Sequence, residues 1–259
     1  MGQAPLLTYV GGPTALIEWR GLRLLTDPTL DPAGSVYELP AYTLRKRQGP
    51  ALGAAEIGHI DTVLLSHDHH VDNLDHAGRA LLAGAGRVIC TQEGSARLQG
   101  GAVGLAPWQS TSIKSAAGSP LTITATPARH GPEGGDRGPV IGFLCAYEDS
   151  PQETIYFSGD TVLFAGVEEV ARRHRVRWAL LNAGAARVAA AGTGHLTFTA
   201  EEAATVARML AQALIVPLHY EGWEHFSESR EDLERGFAQA GVAERVLWAP
   251  AGRRVELPL

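Results

Sequence analysis

Short apolar runs that end in histidine or aspartate constrain the fold of this chain more than any other feature of its sequence. The run at residues 61–65 leads directly into SHDHHVDN at residues 66–73. The same arrangement recurs in LTITATPARH, which ends at His130, in IYFSGD, which ends at Asp160, and in IVPLH, which ends at His219. Side chains at the ends of several strands can converge on one site although they lie far apart in sequence. The pattern therefore predicts strands whose ends meet at a polar site.

The secondary structure is predicted to change from paired strands to strands that alternate with helices. Residues 14–19 and 22–26 are strand-like runs around a two-residue turn, which predicts a hairpin. Residues 31–58 are rich in proline, glycine and alanine, which indicates a long loop with room for one short helix. Thr199 and Glu202 have the spacing of a capping box at the start of a helix. Further strands are predicted at residues 87–90, 121–126, 140–147, 154–157, 178–181 and 213–216, and helices at residues 74–83, 167–175 and 200–213.

The length and composition favour a single packed domain. The chain has 259 residues, of which 45% are hydrophobic and 19% charged, and this predicts one domain over residues 1–259. Two sheets packed together with helices outside would suit the order of the predicted elements. Cys90 and Cys145 lie within apolar strand-like runs, so they are interpreted as buried free thiols rather than as a disulfide or a thiolate metal site.

The charge and hydropathy of the chain argue against two classes of partner. The net charge is −6 and the 22 Lys and Arg residues are scattered, so no nucleic-acid surface is expected and a small-molecule substrate is favoured. No apolar stretch approaches the ~20 residues that span a bilayer, and the first residues lack a basic region followed by an apolar core. We therefore expect a cytoplasmic protein, and the sequence leaves open whether it forms a homo-oligomer.

The histidines and aspartates at the predicted strand ends form a set of metal-ligand candidates without cysteine. Zinc and similar divalent ions take neutral imidazole and carboxylate ligands, and a catalytic site leaves room for water. The set supplies enough donors for one or two divalent ions, with zinc preferred and manganese or iron as alternatives. The candidate ligands are His67, His69, His70, Asp72, His130, Asp160 and His219.

The order of these motifs resembles the metallo-β-lactamase superfamily. A strand is followed by a turn rich in H-x-H, a lone histidine, SGD, GHLT before a helix, and PLHY after a last strand. Within the superfamily, the sequence is most similar to the branch that contains ascorbate-6-phosphate lactonase and N-acyl-phosphatidylethanolamine phospholipase D. The resemblance implies an α/β (α+β) fold: a four-layer αβ/βα sandwich of two mixed β-sheets with helices on the outer faces. It also implies a dinuclear metal site at one edge of the two sheets.

The resemblance assigns roles to four residues by their position in these motifs. It implies that His67 and His130 are ligands of the first metal, that Asp160 is the bridging carboxylate and that His219 is a ligand of the second metal. These four assignments depend on the ordered set of motifs, which is more specific than any one of them.

The opening turn departs from the family pattern H-x-H-x-D-H, because it is one residue longer and ends in Asn73. In one register His67 and His69 form the H-x-H pair, and in the other His70 aligns with the second histidine of the pattern. Both registers keep Asp72. An amide is a weaker ligand than an imidazole, so the second metal would bind weakly, use His70 instead or be absent.

The resemblance implies a metal-dependent hydrolase in which a metal-bound hydroxide attacks an ester, lactone or phosphodiester-type bond of a small molecule. Asp72 would orient or deprotonate the water, and His195 would donate to the developing oxyanion or the leaving group. The alternative is a non-catalytic metal- or ligand-binding protein that retains the fold, which the irregular turn and Asn73 favour. His225 is interpreted as a residue that does not bind the metal but could line the substrate pocket.

Overall fold

The computed structural model describes residues 3–114, 118–189, 192 and 194–258. Strands in these residues form two large sheets and one short hairpin. The strands are β1 (Leu6–Gly11), β2 (Thr14–Trp19), β3 (Leu22–Thr26), β4 (Val36–Glu38), β5 (Thr43–Arg45), β6 (Thr62–Leu64), β7 (Val88–Thr91), β8 (Val103–Leu105), β9 (Ser110–Ile113), β10 (Leu121–Pro127), β11 (Ile141–Tyr147), β12 (Thr154–Phe157), β13 (Trp178–Asn182), β14 (Leu214–Leu218) and β15 (Arg254–Glu256).

Both large sheets are mixed. The first has seven strands in the order β15-β1-β2-β3-β6-β7-β8, and the second has six in the order β14-β13-β12-β11-β10-β9. Strands β3, β6, β7 and β8 run parallel to one another, as do β12, β13 and β14, while the other neighbouring pairs are antiparallel. Parallel strands place their carboxyl ends at the same edge of a sheet. Each sheet therefore brings several strand ends together.

Side-chain caps set where several of the helices begin. The helices are α1 (Ala54–Ile57), α2 (His76–Leu81), α3 (Gln92–Leu98), α4 (Ala165–Arg173), α5 (Ala200–Met209) and α6 (Arg230–Gln239). Asp75 caps α2 by accepting a hydrogen bond of 2.8 Å from Gly78 N. The predicted capping box of Thr199 and Glu202 is present at the start of α5. Such caps satisfy backbone N–H groups that have no partner inside the helix.

Three apolar cores separate four layers. Between the sheets, the ring of Trp19 lies 5.8 Å from that of Trp178 and 4.7 Å from that of Tyr147. The outer face of the second sheet packs against α4, α5 and α6 through residues such as Val170 and Phe237. The outer face of the first sheet packs against α1 and α2. The predicted sandwich of two mixed sheets with helices on the outer faces is confirmed.

The segment predicted as a long loop with room for one short helix contains such a helix, α1, and also two short strands, β4 and β5, that were not predicted. We call residues 31–49 the strap. Buried Lys46 fastens the strap by donating to Asp75 Oδ2 at 2.9 Å and to the carbonyl of Thr29 at 2.9 Å. Strands of three residues carry too little alternation to be recognised from a sequence.

The boundaries of the predicted helices also differ from those observed. The helix predicted at residues 74–83 begins at His76, because Asp75 is its cap. The helix predicted at residues 200–213 ends at Met209, and the one predicted at residues 167–175 lies at Ala165–Arg173. Helices α3 and α6 were not predicted. The apolar stripe of α6 consists of little more than Leu233 and Phe237, so its sequence reads as a polar loop.

The structure bears on two predictions drawn from composition. Cys90 and Cys145 are both buried free thiols, as predicted. Among the residues that the structure describes, no helix is both long enough and apolar enough to cross a membrane.

Candidate metal centre

Polar side chains that follow strands of both sheets meet at one edge of the sandwich. They come after β6 in the first sheet and after β10, β12 and β14 in the second. Among the described residues they form two groups of potential metal ligands, and within each group the donor atoms all lie within 4.8 Å of one another. The histidine cluster consists of His67, His70 and His130, and the carboxylate cluster consists of Asp72, Asp160 and His219.

Three ring nitrogens face one another in the histidine cluster. His70 Nδ1 lies 3.0 Å from His67 Nε2 and 3.0 Å from His130 Nε2. Two nitrogens bound to one tetrahedral zinc ion at ~2.0–2.1 Å lie roughly 3.3–3.4 Å apart. The histidine cluster therefore has nearly the spacing of a three-nitrogen metal site.

Neighbouring groups determine which ring nitrogen of each histidine faces this cluster. Ser66 Oγ donates to Asp27 Oδ2 at 2.6 Å, so the hydroxyl accepts from His67 Nδ1 at 2.9 Å. His130 Nδ1 donates to the carbonyl of Leu196 at 2.9 Å. Metal-binding histidines almost always donate their other ring N–H in this way. In both residues this leaves Nε2 free to act as a ligand.

The surroundings keep His67 and His70 in the neutral form that a metal requires. Burial lowers the pKa of His67 well below its ordinary value, and the imidazoles of His70 and His130 lower it further. Burial and the imidazole of His130 lower the pKa of His70 to about 3. Protons therefore do not compete with a metal for these nitrogens at neutral pH.

Hydrogen bonds orient the carboxylate cluster, which is buried. His219 Nδ1 donates to Asp160 Oδ1 at 2.9 Å, and Asn182 Nδ2 donates to the same oxygen at 2.8 Å. His219 Nε2 lies 3.7 Å from Asp72 Oδ2. The second oxygen of Asp160, Oδ2, lies 3.8 Å from His130 Nε2. Asp160 is therefore the member of the carboxylate cluster that also lies near the histidine cluster.

Both carboxylates of this cluster remain ionised. Burial alone would raise the pKa of Asp72, but the hydrogen bond from His225 and the nearby imidazoles of His225 and His219 hold it well below its usual range. Burial is likewise outweighed at Asp160, where the charge and hydrogen bond of His219 lower the pKa. Burial would lower the pKa of His219, yet Asp160 and Asp72 raise it. The cluster thus concentrates negative charge in a buried place.

Two buried atoms of the carboxylate cluster, Asp160 Oδ2 and His219 Nε2, have no hydrogen-bond partner among the described residues. A buried polar atom without a partner costs roughly 1–3 kcal/mol, and more when it is charged. Buried charges are normally paired or bound to metals. A divalent cation would satisfy both atoms, so the donor set present in this chain fits a metal.

The backbone is strained where it delivers some of these side chains. Asp27 has a φ of 25° and His219 a φ of 56°, a region that residues other than glycine seldom adopt. Gly159 has a φ of 58°, and a Cβ there would lie 2.6 Å from the carbonyl oxygen of Ile141. Glycine therefore permits the sharp turn that leads into Asp160. Such strain is common at functional sites.

Two residues predicted to act in the site lie outside both clusters. His69 Nε2 lies 2.9 Å from the carbonyl oxygen of Arg137. The structure therefore combines the two registers considered for the turn, keeping His67 from one and His70 from the other. His195 Nε2 lies 2.8 Å from Glu202 Oε2, so the predicted proton donor is paired with the glutamate of the capping box of α5.

Sequence reasoning overlooked Asp27 and the contact between His225 and Asp72. Asp27 accepts from Ser66 N at 2.6 Å and from Asn73 Nδ2 at 2.9 Å, and burial raises its pKa to about 7. His225 Nε2 lies 2.9 Å from Asp72 Oδ2. Asp27 follows β3 just as the predicted ligands follow their strands, and this signal was present in the sequence. No such signal marks His225, which lies in a turn.

Apolar side chains surround the two clusters. Val71 lies between two members of the clusters in the turn, and the ring of Phe226 lies 4.8 Å from that of His219. From the strap, Leu39 and Tyr42 pack with Val71 and Phe226 against a buried apolar group that includes Trp223. The half-buried side chains of this group provide an apolar wall beside the polar centre.

A family model described as the beta-lactamase superfamily domain matches residues 22–220 of this chain. A metal-dependent hydrolase of Caldivirga maquilingensis is 26% identical over 261 residues, a match that covers 98% of each chain. A metal-dependent hydrolase of Pelotomaculum thermopropionicum is 29% identical over 222 residues, covering 80% of this chain and 87% of that relative.

The fold is similar to that of solved structures. The crystal structure of isothiocyanate hydrolase from Delia radicum gut bacteria superposes with a TM-score of 0.81 at 23% identity, over 96% of this chain and 98% of that chain. At such an identity the likeness concerns the fold alone.

Proposed function

Because this chain belongs to the beta-lactamase superfamily, we propose that its histidine and carboxylate clusters each hold one divalent ion at the active centre of a hydrolase. The chain is a metal-dependent hydrolase of that superfamily. The proposed ions are zinc, with manganese or iron as alternatives. The proposed substrates are small molecules with an ester, lactone or phosphodiester-type bond.

The observation that carries this proposal is the arrangement of buried donors at the edge of the two sheets. Nitrogens of three histidines lie 3.0 Å apart in successive pairs, and the surroundings of His67 and His70 keep these two residues neutral. Beside them, Asp160 Oδ2 and His219 Nε2 are buried and without partners among the described residues. A chain that only needed a stable core would gain nothing from this arrangement, since each buried polar group costs free energy.

When bound, divalent ions supply Lewis acidity and lower the pKa of a water molecule towards ~7. The chain orients the groups around them. The low pKa of Asp72 makes it a weak base, so it is better suited to accept a hydrogen bond from the attacking water than to remove its proton. Asp160 lies between the clusters and would be shared by both ions.

His195 remains a proposed proton donor, provided that both of its ring nitrogens carry a proton. Because a carboxylate only accepts, the neutral ring keeps its proton on Nε2, facing Glu202, and Nδ1 is then an acceptor. Donation to a leaving group therefore requires the doubly protonated imidazolium, with Glu202 stabilising its charge. Under this proposal, His195→Ala lowers turnover by about 10²–10⁴-fold while the metal content is unchanged. Unchanged turnover in that variant would remove His195 from the mechanism.

The apolar wall beside the centre bears on the choice of substrate. Leu39, Tyr42, Val71 and Phe226 are half-buried and belong to one apolar cluster. An apolar wall suits the uncharged ester or lactone of a substrate with an alkyl or aryl portion better than a phosphodiester, which carries a negative charge. We therefore place ester and lactone substrates ahead of phosphodiesters.

A second candidate is a non-catalytic metal- or ligand-binding protein that retains the fold. The presence of Asn73 favours it, because its Nδ2 donates to Asp27 Oδ2 at 2.9 Å and an amide oxygen is a weaker ligand than an imidazole. A chain with only one firmly held ion would fit this alternative.

Hydrolysis of matched ester, lactone and phosphodiester probes tests the proposed function. We expect turnover that is lost after treatment with a chelator, restored by zinc, manganese or iron(II), and highest with an apolar ester or lactone. Restored metal content without hydrolysis of any probe class would favour the non-catalytic candidate. Turnover that survives complete removal of metal would contradict both.

A further inference from the structure

We propose that His225 is a positioning residue that aims the carboxylate of Asp72 at the second ion, provided that the clusters hold two ions as proposed above. It would compensate for the turn having Asn73 where the resembled pattern has a histidine. The role is to hold a ligand in place, and His225 itself does not bind the ion.

The amide nitrogen of Asn73 is engaged elsewhere, whereas its Oδ1 is buried and has no hydrogen-bond partner among the described residues. The residue is fully buried, and its Nδ2 donates to Asp27 Oδ2 at 2.9 Å. Ser66 Oγ donates to the same oxygen at 2.6 Å. Through its amide nitrogen Asn73 ties the turn to the end of β3, on the side that supports the histidine cluster. The hydrogen bond to Asp72 comes from another part of the chain.

His225 provides that support from the segment after β14. Its Nε2 lies 2.9 Å from Asp72 Oδ2, the same oxygen that lies 3.7 Å from His219 Nε2. The side chain of His225 is 7% exposed. Its ring lies 4.8 Å from that of Phe226, and its carbonyl oxygen accepts from Arg187 N at 2.8 Å. The ring contact and the backbone hydrogen bond together fix the position of His225 beside Asp72.

The protonation of the ring indicates a donor rather than a ligand. His225 Nδ1 is buried and has no hydrogen-bond partner among the described residues, so a proton there would be an unpaired donor. The proton therefore belongs on Nε2, where it is donated to Asp72 Oδ2. His67 and His130 differ, because each donates its Nδ1–H and leaves Nε2 free for a metal.

The spacing of the donor atoms supports the same assignment. Donor atoms of Asp72, Asp160 and His219 all lie within 4.8 Å of one another, and among the described residues this set does not extend to His225. Carboxylate ligands of metals are commonly oriented by a hydrogen bond from an outer residue, and loss of that residue costs about 10–100-fold in metal affinity or activity.

Zinc titration of the full chain in buffered free zinc tests this role with two variants. His225→Phe keeps a ring of similar shape without a donor, whereas His225→Gln places an amide Nε2–H near the position of the imidazole donor. We expect the first zinc to bind all variants alike. The second should bind about 10–100-fold more weakly to His225→Phe, with most of that loss recovered in His225→Gln.

His59→Gln is the matched control, because His59 Nε2 also lies near an aspartate oxygen, 3.2 Å from Asp61 Oδ1, but its side chain is 68% exposed. It should titrate like the wild type. Near-ultraviolet circular dichroism of each metal-free variant checks the packing, so a loss of zinc can be separated from misfolding.

Each remaining outcome points to a different failure. Equal binding of the second zinc by wild type and His225→Phe would overturn the role of His225 and leave the two-ion function intact. Equal loss in His225→Phe and His225→Gln would show that the imidazole is a direct ligand, which also overturns it. A wild-type chain that takes up no second zinc would overturn the two-ion function and this role together.

Discussion

The histidine cluster and the carboxylate cluster meet in one site, yet they are built in opposite ways. The histidine cluster presents three imidazole nitrogens, and His70 leaves it partly open to solvent. The carboxylate cluster presents two ionised carboxylates and one imidazole, all of them buried. The first can remain uncharged without an ion, whereas the second carries a charge that a cation must offset.

This difference in donors implies a difference between the ions. Imidazole nitrogens suit zinc, copper, iron and nickel, whereas carboxylate oxygens suit harder ions such as manganese. We therefore expect the histidine cluster to favour zinc and the carboxylate cluster to exchange its ion more readily and to accept manganese. Asp160, which contacts both clusters, should be the residue whose loss affects both.

Asp160→Ala should have the largest effect on the site. We expect loss of the second ion, a weakened first ion and a fall in hydrolysis larger than the roughly 10–100-fold that loss of an outer partner costs. Metal analysis and a turnover assay measure these changes. Glu133→Ala, at an exposed carboxylate whose side chain is 94% accessible, should change neither. Retention of both ions by Asp160→Ala would contradict the proposal that Asp160 contributes to both clusters.

A comparison of two neighbouring histidines gives the next largest effect. His70→Ala should lose the first zinc, because its Nδ1 is one of the three converging nitrogens. His69→Ala should keep it, since His69 Nε2 faces the carbonyl oxygen of Arg137 instead. Competition with a chromophoric chelator measures both affinities. The reverse result would mean that the histidine cluster is formed by His67, His69 and His130.

Ser66→Ala should have a smaller effect that is confined to the histidine cluster. It removes the hydroxyl that accepts from His67 Nδ1 at 2.9 Å, so the first zinc should bind about 10–100-fold more weakly. The second ion should be unaffected. Ser95→Ala is a control, because Ser95 Oγ donates to Gln92 O on the surface. An equal change at both ions would show that Ser66 acts on general packing only.

The smallest effect concerns the pH dependence of the metal-free chain. His67 and His70 have folded pKa values below the ordinary 6.5, and that of His70 is lowered to about 3. The unfolded chain then binds more protons, so the stability that these groups contribute is present above pH ~6.5 and is lost as the pH falls towards 3. His219 has a raised pKa, so its contribution is present below pH ~6.5 and is lost as the pH rises through its folded pKa.

Denaturant unfolding in the presence of chelator measures this dependence. Relative to the wild type, His70→Gln should lose less stability on acidification from pH 6.5 to 4, whereas His219→Gln should lose less on going from pH 6.5 to 8. If the free energy of unfolding changed equally with pH in the wild type and in His70→Gln, the pKa of His70 would not be lowered in the folded chain.

Much of the site was predictable because its residues follow strands. His67, His130, Asp160 and His219 each stand just after an apolar run, and the two sheets bring those ends to one edge. The two packed sheets with helices outside could also be predicted, because the order of apolar strand-like runs and helices extends over most of the sequence.

The remaining features depend on local conformations that the sequence does not signal. Whether His69 or His70 faces the centre is set by the path of an irregular turn, which no periodicity describes. His225 reaches Asp72 from a segment far along the chain. Asp27 is different, because it directly follows β3 and its position could have been recognised from the sequence.

The most direct test of the two-cluster account is the metal content of the chain, purified without chelator and then equilibrated with zinc. Elemental analysis against protein concentration should give about two ions per chain, of which a weak chelator removes one first. His70→Ala should then retain only the more labile ion. A wild-type chain that holds about one ion or none, or a His70→Ala variant that retains the tightly bound ion, would contradict the account.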